Sequence, residues 1–182
     1  ERDLDLAVEQ SAGSDYVFWA RGCFRIRCLG DSDGARSDLM RSRQLNPAYM
    51  EAHELDGHIK MMREDFEGAA ESYELLIQRQ THDPLIASRV FMKSIALYCA
   101  EDYTAAAARA LMGVDLRPTD RMLHVFCAIA CDADGQTEKA ARHRLKAEQM
   151  PHAPSISGRR PALPPSQEAL ARRLRNGYHG CR

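Results

Sequence analysis

The chain has 182 residues, a formal net charge of −1, 45% hydrophobic and 28% charged residues. That is enough for one ordinary soluble unit with its own core, and the near-neutral balance points to neither nucleic acid nor a membrane surface as a general partner. No apolar run approaches the ~18 residues of a membrane span, and the opening Glu1-Arg2-Asp3-Leu4-Asp5 is charged where a secretion signal would be apolar.

The chain starts at Glu1 without an initiator methionine, so it is expected to be the tail of a larger protein. Cysteines stand at 23, 28, 99, 127, 131 and 181 with no Cys-x-x-Cys pair. With no export signal they read as reduced thiols of a cytoplasmic protein. Arg outnumbers Lys by 21 to 4, the usage of a GC-rich bacterial gene. Charge is uneven: residues 1–134 carry 15 basic and 23 acidic groups (net −8), residues 135–182 carry 10 and 3 (net +7).

Residues 1–12, with Leu4, Ala7 and Val8, read as one helix, either a cap or the second helix of a truncated unit. From Tyr16 a helix-pair pattern recurs about every 34 residues. The first unit has Trp19, Gly22, Cys23 and Ile26 on its helix A and a turn at Gly30-Asp31. Its helix B carries Ala35 and Leu39 and is stopped by Pro47. Short side chains at Gly22 or Cys23 and at Ala35 let the two helices approach.

The second unit starts near Met50, with Gly57 as its small residue and Phe66, Ala69 and Tyr73 following. Thr81-His82-Asp83-Pro84 lengthens the next connection. The third unit has Ser94, Tyr103, Ala106 and Ala110, and ends at Pro118. The fourth has Cys127-Ala128, a turn at Gly135, then Ala140 and Ala147. The predicted units are 16–49, 50–86, 87–120 and 121–150. Five prolines between 151 and 165 predict an extended linker, and Ser166 opens a short helix that Gly177 closes.

The set Gly57–Ala69–Tyr73, the pair Tyr103–Ala106 and the terminators Pro47 and Pro118 resemble the tetratricopeptide repeat family over residues 16–150. The first unit lacks a turn aromatic and the fourth lacks both aromatics. The resemblance implies an all-α, right-handed α-solenoid that binds proteins or peptides rather than an enzyme. A narrower likeness covers Pro161-Ala162-Leu163-Pro164, Leu170, Leu174, Gly177 and Tyr178. These are similar to the ends of repeat arrays in bacterial adenylate or guanylate cyclases and winged-helix regulators. It implies a C-terminal regulatory or sensor module of a multidomain signalling protein. The alternative is a stand-alone adaptor.

In this family the A helices line the concave face. The register places Phe24, Leu55, His58, Met62, Phe91, Met92, Ile95, Tyr98 and Phe126 there, with Val17, Ala20, Val125 and Ile129 beside them. This predicts an apolar groove for a peptide or helix; its occupant would be a partner protein, an upstream domain or residues 155–178 of the chain itself. Repeat co-chaperones grip a terminal carboxylate with Lys, Asn and Arg at positions that are Ala20, Phe24, Leu55, Ser88 and Met92 here. That clamp cannot be built.

Three chemical readings are weighed and set aside. His53 and His58 are five apart, about 140° around a helix, so they do not chelate one metal, and Glu54 with His58 is expected to form a surface pair. His124, Cys127 and Cys131 share a helix face on which a soft metal could sit, but core packing is the preferred reading and an enzymatic or metal-binding domain the remote alternative. Arg159, Arg160, Arg172, Arg173 and Arg175 lack interleaved aromatics other than Tyr178, so nucleic-acid binding is not expected. No cofactor is implied.

Overall fold

The computed structural model describes residues 2–11, 13–80 and 82–151. The expected linker, its terminal helix and the docking segment 155–178 lie outside the described residues. Those described form helices and turns, with no strand among them. In chain order the helices are α1 (Arg2–Gln10), α2 (Asp15–Phe24), a π-helical turn (Arg25–Leu29), α3 (Ser32–Leu45), α4 (Ala52–Met62), α5 (Phe66–Arg79), α6 (Ile86–Cys99), α7 (Tyr103–Leu116), α8 (Arg121–Ala133) and α9 (Thr137–Gln149). Each helix from α1 to α9 packs on the next along the chain. The result is a tetratricopeptide-like α-solenoid, in which α2/α3, α4/α5, α6/α7 and α8/α9 form antiparallel pairs.

One turn design joins the two helices of every pair. The chain leaves the first helix through a single left-handed residue: Gly30, Glu64, Glu101 and Gly135, at φ of 69°, 62°, 66° and 76°. The next backbone N–H reaches back over the helix end: Asp65 to the Lys60 carbonyl and Asp102 to that of Leu97, both 3.0 Å, and Gln136 to that of Cys131, 2.8 Å. This closes the Schellman-type loop that satisfies orphan carbonyls. In the first pair Asp31 instead reaches Arg25, one residue further back, because the π turn has taken in an extra residue. An aspartate then caps the second helix. Asp31, Asp65 and Asp102 accept from the N–H groups of Gly34, Gly68 and Ala105 at 2.8–3.0 Å. Such caps contribute about 1 kcal/mol each.

The small residues lie where backbones meet. A Cβ on Gly57 would stand 2.7 Å from Cζ of the fully buried Tyr73, and one on Gly22 2.6 Å from Leu55 Cδ2. Two apolar clusters result. Ile26, Ala35, Leu39, Ala52, Leu55 and Ile59 join the π turn, α3 and α4, with Trp19 and Cys23 of α2 packed against them. The larger cluster runs from Met61 and Tyr73 through Ile95, Ala106 and Leu123 to Phe126 and Ala140. Between α1, α2 and α3 the cement is ionic: Arg21 grips the buried Asp38 through Nη2 at 2.7 Å and Nε at 3.1 Å, and reaches Asp5 at 3.0 Å. Arg25 adds a further bond to Asp38 at 2.9 Å.

Candidate functional site

All nine expected groove residues stand on the first helix of a pair, but they do not form one open apolar trough. Leu55, Ile95 and Phe126 are closed off in the core at 0%, 6% and 3% exposure, and Ile129 is likewise buried. They are packing residues: Leu55 fills the space that Gly22 leaves, and the Phe126 ring stands edge-on to Phe91 (5.5 Å) and Tyr98 (5.8 Å). Phe24, Met62, Phe91, Met92 and Tyr98 remain half-buried, as do Val17, Ala20 and Val125. Of the nine expected residues, Phe91 and Met92 line a cavity of about 350 Å³ between α4 and α6.

The other walls of that cavity are polar, and sequence reasoning missed them. Arg27 comes from the π turn, Glu54 from α4, Tyr73 from α5 and Arg89 from α6, with Leu85 and Ser88 at the rim. Arg27 Nη2 donates to His58 Nε2 at 3.1 Å, and His58 Nδ1 lies 2.9 Å from the Tyr73 hydroxyl. The expected Glu54–His58 pair exists at 3.7 Å, but His58 is buried and Glu54 mostly so. It is an element of the groove wall and not a surface pair, because the Tyr73 ring behind it and Arg27 in front exclude solvent. Arg27 and Arg89 lie 3.6 and 4.0 Å from the same carboxylate. His58, with both guanidinium groups, holds the Glu54 carboxyl below the usual carboxylate range. Burial raises the Tyr73 phenol far above its ordinary value, so it stays protonated.

Arg89 is the most unusual member. It is 2% exposed, and its Nη1 is spent on Gln80 and on Asp83 at 3.1 Å. Its Nε is buried without a partner. One signal for it was present: Arg89 is a charge set between the apolar Ile86-Ala87 and Val90-Phe91-Met92 of the helix IASRVFMKSIALYC. Arg27 could not be placed from spacing, since the π turn shifts it by one residue.

The second cluster set aside from the sequence is also internal. His124 Nε2 donates to the Pro118 carbonyl at 2.9 Å, and its Nδ1 meets His143 Nδ1 at 2.9 Å with the rings stacked. Cys127 and Cys131 are fully buried, their sulfurs 3.9 Å apart. Both ring nitrogens of His124 are thus engaged, and no group of three or more His, Cys, Asp or Glu among the described residues is arranged to hold a metal ion. No helix among them is long and apolar enough to cross a membrane.

No family model matches the sequence, and no curated protein matches it. Solved structures of similar fold include MamA (residues 41 to the end) from Desulfovibrio magneticus RS-1, with a TM-score of 0.71 and 17% identity over 82% of each chain. Two further MamA crystal structures give TM-scores of 0.68 (13% identity, 94% of this chain and 88% of that one) and 0.67 (14%, 81% and 79%). At such identities the likeness is one of fold, and it agrees with the turns, caps and close-packed small residues in making this chain a tetratricopeptide-like helical solenoid.

Proposed function

We propose that the chain is a protein-interaction scaffold whose concave side binds a polypeptide segment from a partner. The observation that carries this is the cavity between α4 and α6, open beside half-buried Phe91 and Met92 and walled by Arg27, Glu54 and Arg89. Flexible Met and planar Phe surfaces accept apolar side chains of varied shape, while a few fixed polar groups set orientation. The role is binding rather than catalysis, and the fold of the MamA structures, a repeat scaffold, supports it. The narrower reading, a regulatory module of a multidomain signalling protein, rests on residues 161–178 alone.

The test is a peptide-display selection on the wild-type protein, with the enriched peptides re-measured on Met92→Glu. Peptides that bind the wild type and lose at least about tenfold in Kd on this variant, whose melting is unchanged, support the groove. Enriched peptides that bind both equally would place recognition elsewhere.

A further inference from the structure

The polar wall of the cavity has an unspent hydrogen-bonding capacity of a particular kind. Its charges already cancel: the Arg27 and Arg89 guanidiniums face the Glu54 and Asp83 carboxylates. Its hydrogen bonds do not. Glu54 meets Arg27, His58 and Arg89 at 3.6, 3.7 and 4.0 Å, all beyond hydrogen-bond range. Arg89 Nη2 lies 4.0 Å from Glu54 Oε2, while its Nη1 is bonded to Gln80 and Asp83. A donor and an acceptor, both largely desolvated, therefore stand side by side on the cavity wall without bonding each other.

The geometry points to a cavity that takes the side-chain amide of an Asn or Gln from a partner peptide, its carbonyl accepting from Arg89 Nη2 and its NH2 donating to Glu54. This rests on the groove being a peptide site and names the chemistry of the segment it takes. A carboxylate would bring a charge with no counter-charge left, and no proton for Glu54. An ammonium would satisfy Glu54 and oppose both guanidiniums. An apolar side chain would leave both groups unpaired, which costs more than the contact returns. A primary amide is neutral and carries its acceptor oxygen and its donor nitrogen on separate atoms of one plane, whereas a hydroxyl must serve both groups from a single oxygen and a neutral imidazole sets its donor and acceptor on different sides of the ring. Phe91 and Met92 lie alongside for an apolar neighbour of that residue. The wall is thus opposite in character to a carboxylate clamp, which presents uncompensated positive charge.

The probes are four acetylated, amidated peptides with Leu-Xaa-Leu centres, where Xaa is Gln, Glu, Lys or Leu. Binding is followed on the full chain by the methyl signal of Met92 and the Nε–H signals of the arginines in NMR titrations. The Gln peptide is expected to bind about tenfold more tightly than each of the others, with little change between low and high salt because no net charge is neutralised. In Glu54→Gln the wall carries one excess positive charge, and preference is expected to pass to the Glu peptide. Equal binding of all four peptides, or a Glu preference in the wild type, overturns the amide assignment while leaving a peptide groove. No Met92 shift with any peptide overturns the amide assignment and, together with a failed display selection, the groove as well. If Glu54→Gln does not fold, the wild-type series decides alone.

Discussion

Two of the four helix-pair turns put glutamate where the backbone favours glycine, and that gives a measurable test of the turn geometry. Glu64 and Glu101 sit at φ of 62° and 66°, matching Gly30 and Gly135 at 69° and 76°. Both side chains are exposed. A left-handed residue with a Cβ costs roughly 1–2 kcal/mol. Glycine removes that cost but gives up about 0.5–1 kcal/mol, because it raises the entropy of the unfolded chain. Each Glu→Gly change should therefore stabilise the fold by about 0.5–1 kcal/mol, and the two, in separate turns, should add. The double variant is expected to gain about 1–2 kcal/mol in urea unfolding, or roughly 2–8 °C in Tm for a chain of this size. Gly135→Ala is the converse control: nothing lies within 4 Å of the added Cβ, so its loss of about 0.5–1 kcal/mol reports backbone alone. Destabilisation by Glu64→Gly and Glu101→Gly, or a neutral Gly135→Ala, would refute the left-handed turns.

Removing Asp38 leaves Arg21 and Arg25 facing each other in a largely buried site, so Asp38→Ala is expected to lose about 3–5 kcal/mol in chemical denaturation. Gly57→Leu drives a side chain into the buried Tyr73 ring and should cost at least about 2 kcal/mol, with the loss also read as a changed tyrosine near-UV signal. Among the cysteines of the described residues, Cys28 is exposed, Cys99, Cys127 and Cys131 are buried, and burial pushes the Cys23 thiol up to about 11. Brief alkylation of the native protein at pH 8, followed by peptide mapping, should label Cys28 well ahead of these four. Burial, with His124, Lys146 and Arg142 nearby, lowers the His143 pKa. The unfolded chain then binds more protons than the folded one once pH drops below about 6.5, so stability holds above that value and falls beneath it until the folded pKa is passed, with a slope of at most about 1.4 kcal/mol per pH unit. His143→Leu should lessen the slope without abolishing it, because His53 is shifted the same way by burial. An unchanged slope between pH 7.5 and 5.5 would show that the imidazole pair is not buried as described.

The fold was legible because its determinants are local and repeat. Gly57 with Tyr73 and the alanines at 35, 69, 106 and 140 are read from spacing alone, and each has one physical job; the Asp that opens three of the four second helices emerged only with the structure. The π turn was not legible. It inserts one residue into the first unit with no proline or glycine inside Arg25–Leu29 to announce it, so a 3.6-residue periodicity carried through that stretch loses register there.

The same limit explains why the groove was read as apolar. Helical periodicity assigns a residue to a face, but not to a depth on that face. Leu55, Ile95 and Phe126 stand on the first helices of their pairs and are nevertheless covered, because neighbouring helices close over them at the points where Gly22 and the aromatic rings draw the backbones together. The cavity survives where such closure fails, between α4 and α6, after the longer connection around Asp83 and Pro84. That connection also supplies Asp83, the carboxylate that compensates Arg89. A buried guanidinium is tolerable only with such compensation, so the long loop and the charge in α6 are two parts of one arrangement. Asp83→Asn tests that link: with the compensating charge gone, Arg89 should cost the fold about 3 kcal/mol or more, and a second change, Arg89→Met, should recover most of the loss. Failure of the double variant to recover stability in urea unfolding would mean that Arg89 is held by something other than charge balance.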